Sequence, residues 1–179
     1  MREMWVSDIL QFWFGLDPGQ WWKADPALDH ICKQRFLKLW VEKRQLPVDA
    51  FLDDPLTALA GVILFDQMPR NMFRGAADQF ATDHLALLIA REAVDHGFDE
   101  QLEPQQRGFL YMPFQHSENL EDQKRSLLLF TRLGDDHQLG YAKKHHDVIE
   151  RFGRFPHRNA MLGRDPRPAE IAAGDVFPW

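Results

Sequence analysis

The chain has 179 residues, 45% of them hydrophobic and 27% charged, and a formal net charge of −6; that length suffices for one domain burying about 70% of its unfolded surface, with no disulfide or metal needed for a stable core. The acidic balance, with an isoelectric point near 5.7 and a mean hydropathy of −0.42, excludes a general electrostatic footprint for nucleic acid and confines any anion site to a local cluster. No apolar run is long enough to span a bilayer, and the stretch "ILQFWFG" contains Gln11 and lacks a small-residue cleavage site, so neither a membrane partner nor a secretory signal is expected.

In chain order, Ser7 is placed to cap a short helix through residues 8–14, which Gly15 and Pro18 stop. Five of the six tryptophans lie in the first forty residues, which suggests an N-terminal segment wrapped into the core by large aromatic rings. Asp25 and Pro26 form a cap and first-turn pair, followed by Leu28, Ile31, Cys32, Phe36, Leu39 and Trp40 at helical spacing. Cys32, the single cysteine, reads as a small buried hydrophobe in a reducing compartment, so the protein is expected to be cytoplasmic. Asp54 and Pro55 start a helix with Leu59, Val62 and Ile63 inward, ending just before Pro69. Thr82 is placed to cap the next helix, closed by Gly97 and apolar over much of its circumference.

Pro104 suits the first turn of a helix that Pro113 interrupts, and Ser117 followed by Glu118 suits the start of another. After Gly134, Asp135 or Asp136 caps a helix to about Phe152, with Leu139, Ala142, His146 and Ile149 on one stripe and Tyr141, His145, Val148 and Phe152 beside it. A last short helix starts at Pro168. No stretch alternates with period two, so the fold is read as all-α, a single helical domain over residues 1–179. Met68-Pro69, Met112-Pro113 and Phe155-Pro156 recur at separations of 44 and 43 residues, each read as a helix end in an array of antiparallel helical hairpins.

The polar residues concentrate in matching phrases, "FDQMPRNMFRG" at 65–75 and "RFGRFPHRNAMLGR" at 151–164. Asp66 follows Leu59, Val62 and Ile63 on their helical face, so its carboxylate is aimed at the core and needs a cation such as Arg70 or Arg74. In the later phrase Pro156 stops a helix and Asn159 supplies a left-handed turn residue, while Arg154, Arg158 and Arg164 either pair with Asp66, Glu118 and Asp122 or bind a carboxylate or phosphate. His116, Ser117 and Glu118 resemble the H-x-E element of zinc deaminases, but the two cysteine ligands that chemistry needs are absent, as is a G-x-S-x-G nucleophile elbow. His116, His145, His146, His157, Glu118 and Asp147 lack a metal-ligand spacing, so no metal and no cofactor is expected.

"ILQFWFG", "LFDQMPRNMFRGAADQFATD", "RGFLYMPFQHSENLEDQKRSLLLF" and "RFGRFPHRNAMLGR" together resemble the DUF924 family across nearly the whole chain. The resemblance implies a tetratricopeptide-like (TPR-like) all-helical fold, although the 43 to 44 spacing exceeds the 34 of a standard repeat. It implies no reaction. The family's motifs coincide with Asp66, Gln67, Arg70, Asn71, Arg74, His116, Ser117, Glu118, Asp122, Gln123, His157, Arg158 and Asn159; Ala76 stands where the pattern has threonine, and "RDPRPAEI" departs from its usual helix start.

The residues therefore give three expectations. The leading one is a TPR-like domain that binds a small anion or an acidic or C-terminal peptide through Arg70, Asn71, Arg74, Arg154, Arg158 and Asn159. The second is a hydrolase with His116 or His157 as acid-base and Glu118 or Asp66 as its partner. The third is a purely structural polar network that joins the hairpins.

Overall fold

The computed structural model describes residues 3–179, and among the described residues every regular element is helical, so the fold is all-α. No helix among them is long and apolar enough to cross a membrane. The chain divides into two compact units, one running to Leu110 and the other spanning Tyr111–Trp179.

In the first unit, α1 (Met4–Phe14) starts after Glu3, so Ser7 lies inside the helix and does not cap it. Trp5, Val6, Ile9 and Trp13 are buried along it, and bringing the first two inward draws the start of the helix ahead of Ser7. The Trp13 ring stands edge-on to Phe109, and its carbonyl accepts a 2.9 Å bond from Trp21 Nε1. Trp22, by contrast, stays 62% exposed, so the aromatic N-terminal segment is only partly wrapped in. Helix α2 (Pro26–Lys43) is capped as read: the Asp25 carboxylate accepts the Ala27 and Leu28 N–H groups. Its buried stripe is Leu28, Cys32, Phe36 and Trp40, while Ile31 is exposed.

Helix α3 (Pro55–Val62), capped by Asp54, does not end at Pro69. It widens into a π-turn over Ile63–Gln67, where the Met68 N–H reaches back to the Ile63 carbonyl, and resumes as α4 (Met68–Met72) with Pro69 inside. A proline lacks the N–H that would bond the carbonyl four residues earlier, here that of Phe65. The Thr82 hydroxyl donates to the Phe65 carbonyl at 2.7 Å and accepts from Trp40 Nε1 at 3.0 Å. Thr82 thus fills the gap left by proline, and its side chain makes no cap bond to α5 (Asp83–Asp95). The wide turn also buries five consecutive residues, Ile63 to Gln67, which carries Asp66 and Gln67 into the interior. Gly61 permits the approach of Phe51: a Cβ there would stand 3.1 Å from the Phe51 ring.

Helix α6 (Pro104–His116) continues through Pro113, so that proline does not interrupt it. In the second unit, α7 (Leu120–Leu133) is capped by Asn119, whose side chain accepts the Glu121 and Asp122 N–H groups, and not by Ser117. Asp135 then caps α8 (Asp136–Phe152), and α7 and α8 pack on each other across this two-residue turn. Gly153, at a φ of 72°, ends α8 before Pro156 is reached. Asn159 is right-handed, at a φ of −57°, and opens the short α9 (Asn159–Leu162), so it is not the left-handed turn residue. Phe155-Pro156 is therefore the one of the three repeated dipeptides found outside a longer helix; α10 (Pro168–Ala173) starts at its proline as read. Val148, Ile149, Phe152 and Phe155 form one core cluster of this unit.

Candidate functional site

In the first unit the polar phrase 65–75 is held by carboxylates from helix starts. Arg70 forms a two-pronged pair with Asp83, at 2.8 and 3.0 Å, and lies 3.6 Å from the fully buried Asp66 carboxylate. Gln67 Nε2 donates to the other Asp66 oxygen at 2.6 Å. Burial opposes the charge of Arg70, and Asp83 and Asp66 more than restore it, so the guanidinium is held firmly protonated. Arg74 pairs through two nitrogens with Asp29, at 2.6 and 2.8 Å, and Asn71 Nδ2 donates to the same carboxylate at 2.9 Å. Of the two cations offered to Asp66, Arg70 reaches it and Arg74 goes to Asp29.

The second unit contains a longer network. Glu118 takes both terminal nitrogens of Arg164, at 2.8 and 3.0 Å, and the Phe155 N–H at 2.8 Å. Arg164 Nε donates to Asn159 Oδ1 at 3.1 Å; Asn159 in turn donates to Glu170 at 3.4 Å, and Glu170 receives Arg154 at 2.7 and 2.8 Å. Burial raises the Glu118 pKa, but the Arg164 hydrogen bond, the Phe155 N–H and the charges of Arg158 and Arg164 outweigh it, so the carboxyl titrates below its ordinary range. Arg154 and the Arg167 N–H hold Glu170 down to about 2. Arg158 is buried, donates to the His116 carbonyl at 2.9 Å and stacks over Phe155. Asp122 accepts the Ser117 hydroxyl at 2.6 Å. Of the pairings expected from sequence in this unit, Arg164 with Glu118 is formed.

Asp29, Asp83 and Glu170 escaped the sequence reading, yet they share a signature. Each sits in the first turn of a helix, α2, α5 and α10, where the dipole favours a negative charge and an arginine from elsewhere finds it in place.

The imidazoles divide by environment. His145 is buried, bonds the Tyr141 carbonyl through Nδ1 at 2.8 Å, and is kept neutral with its pKa pushed down to about 3 by burial and the neighbouring His116. His116 stands 6.1 Å from it, ring to ring. His146 and the exposed Asp147 and Glu150 place ligand-type atoms within 4.8 Å of one another on the surface of α8.

A cleft of about 440 Å³ opens over the network of the second unit. Asn159, Arg164 and Glu170 form its polar part, with His157, Ile171 and Phe177 among its walls. Of the six residues expected to bind a ligand, Asn159 alone lines it.

These contacts define an all-α protein in which Arg70, Arg74, Arg154 and Arg164 are each paired with a carboxylate of their own unit. The chain belongs to the DUF924 family, described as bacterial proteins of unknown function, which it matches over residues 9–173. A solved structure, that of the protein of unknown function ATU0120 from Agrobacterium tumefaciens, is 39% identical with a TM-score of 0.88, covering 94% of this chain and 95% of that one. No curated protein matches.

Proposed function

We propose that this chain is a helical ligand-binding protein in which the paired arginines brace the scaffold and the cleft of the second unit receives a small anion or the acidic end of a peptide. One observation carries the reading: the cleft opens on the segment 156–164 of the polar phrase and is lined by His157, Asn159 and Arg164. Arg164 uses three of its nitrogens on Glu118, Asn159 and the Phe155 carbonyl, which leaves one Nη1 hydrogen for a ligand oxygen. Glu118 and Glu170 offset the charges of Arg164 and Arg154, so recognition rests on directed hydrogen bonds more than on net charge. Arg70, Asn71, Arg74, Arg154 and Arg158 are then supports. The α7–α8 pair supports a TPR-like hairpin within the second unit, and the lone buried Cys32 supports a cytoplasmic setting.

A thermal-shift screen with phosphate, short carboxylates and peptides tests this, since a ligand of the folded state raises its melting temperature. Ala160→Phe fills the cleft without touching an ion pair and should abolish any shift found; a shift that survives it sinks the reading. A second reading, a network with no ligand, is favoured by the two-pronged geometry of Arg70, Arg74, Arg154 and Arg164, and it predicts no shift at all. The hydrolase reading draws less support, because the Glu118 carboxylate is already committed to Arg164 and the Phe155 N–H.

A further inference from the structure

The cleft has a neighbour in its own sequence. After α10 the chain turns at Gly174, whose φ of 72° and ψ of −146° belong to a region that only glycine adopts readily. The next residues, Asp175, Val176 and Phe177, run back along the cleft and form one of its walls. Val176 packs on the Val148–Phe155 core, Pro178 is buried, and the Trp179 ring stands edge-on to His157 at 5.0 Å. The Gly174 N–H bonds the Ile171 carbonyl, but among the described residues no hydrogen bond ties 175–179 down. Phe177 and Trp179 remain 52% and 63% exposed.

A segment held only by apolar and ring contacts, over a polar floor that is already hydrogen-bonded, leaves little unsatisfied when it departs. We propose that residues 174–179, "GDVFPW", are a displaceable wall of this cleft: a strap whose place a peptide of the same chemistry, Asp-Val followed by an aromatic–proline–aromatic run, takes from another chain. This rests on the cleft reading and specifies its partner. Asp175 lines the cleft together with Arg164 and Asn159, and His157 supplies the ring against which Phe177 packs. A short tether holds its own segment at about 1 mM, so for a free-groove Kd of about 0.1 mM the strap weakens an identical peptide in trans about tenfold.

The test is binding of fluorescein-labelled GDVFPW to the full chain and to the full chain carrying Val176→Ser and Trp179→Ser. The strap predicts about tenfold tighter binding to the double variant, lost again when Ala160→Phe is added. Equal affinities within twofold overturn the strap while leaving the cleft reading standing. No binding by a folded double variant also overturns it, and the thermal-shift screen then decides the cleft separately. Should the double variant unfold, fluorine NMR of the unsubstituted chain labelled with 5-fluorotryptophan replaces it. Excess peptide should move the Trp179 signal to its free position, and an unmoved signal overturns the proposal.

Discussion

Replacing Glu118 by glutamine separates a bracing carboxylate from a catalytic one. The change keeps the shape, removes the charge and turns an N–H toward Arg164, where the carboxylate now makes bonds of 2.8 and 3.0 Å. Two unit charges about 3 Å apart attract by roughly 5 kcal/mol at an effective dielectric of 20. Desolvation offsets part of this, and both side chains are about one-quarter exposed, so the expected net loss is about 2–3 kcal/mol. For a chain of this length that lowers the Tm by about 5–10 °C. Because the folded-state pKa of Glu118 lies below its ordinary value, its stabilisation is complete above about pH 4.5 and is lost as the pH falls through the folded pKa. Urea unfolding at pH 7 and pH 3 should show a wide gap between wild type and Glu118→Gln that closes in acid. A loss below about 0.5 kcal/mol at pH 7, or a gain in stability as is common when catalytic groups are removed, would refute the bracing role.

Thr82→Val leaves Trp40 Nε1 and the Phe65 carbonyl without the hydroxyl that now joins them; about 2–4 kcal/mol should be lost in denaturant unfolding, and less than 1 kcal/mol would contradict the relay. Cys32 is buried and its thiol is pushed up to about 12 by burial and by Asp29, so iodoacetamide at pH 8 should label it, by intact mass, only after unfolding. The His145 ring resonance should stay constant between pH 8 and pH 5, since its folded pKa of about 3 lies below the ordinary 6.5. Acidification below 6.5 then favours the unfolded state, which alone takes up that proton; a midpoint near 6 in the folded protein would rule this environment out.

Helix starts were the most legible part of the fold. Asp25-Pro26, Asp54-Pro55 and Asp135 cap as read because the cap bond is local and the residue type almost dictates it. Pro69 and Pro113 misled because the penalty of a mid-helix proline is set by whether the abandoned carbonyl finds another donor, and for Pro69 that donor is Thr82, distant in sequence. Ser117 and Asn119 compete for one cap; Asn119 takes it, and the Ser117 hydroxyl turns to Asp122. The inward carboxylate of Asp66 was readable from its helical face. The partners of Arg74 and Arg154 were not, because such pairs are fixed by how helix ends meet, 45 residues apart for Arg74 and Asp29. Asp29, Asp83 and Glu170 become visible once first-turn acids are sought at every helix start.

The claim that the arginines serve the scaffold is tested most directly by a double-mutant cycle on Glu118 and Arg164, using Glu118→Gln, Arg164→Met and the pair in ligand-free protein. Bracing predicts a coupling of at least about 1.5 kcal/mol in the free energy of unfolding. A coupling below about 0.5 kcal/mol would mean that the pair contributes little to the fold and that Arg164 is held ready for something else.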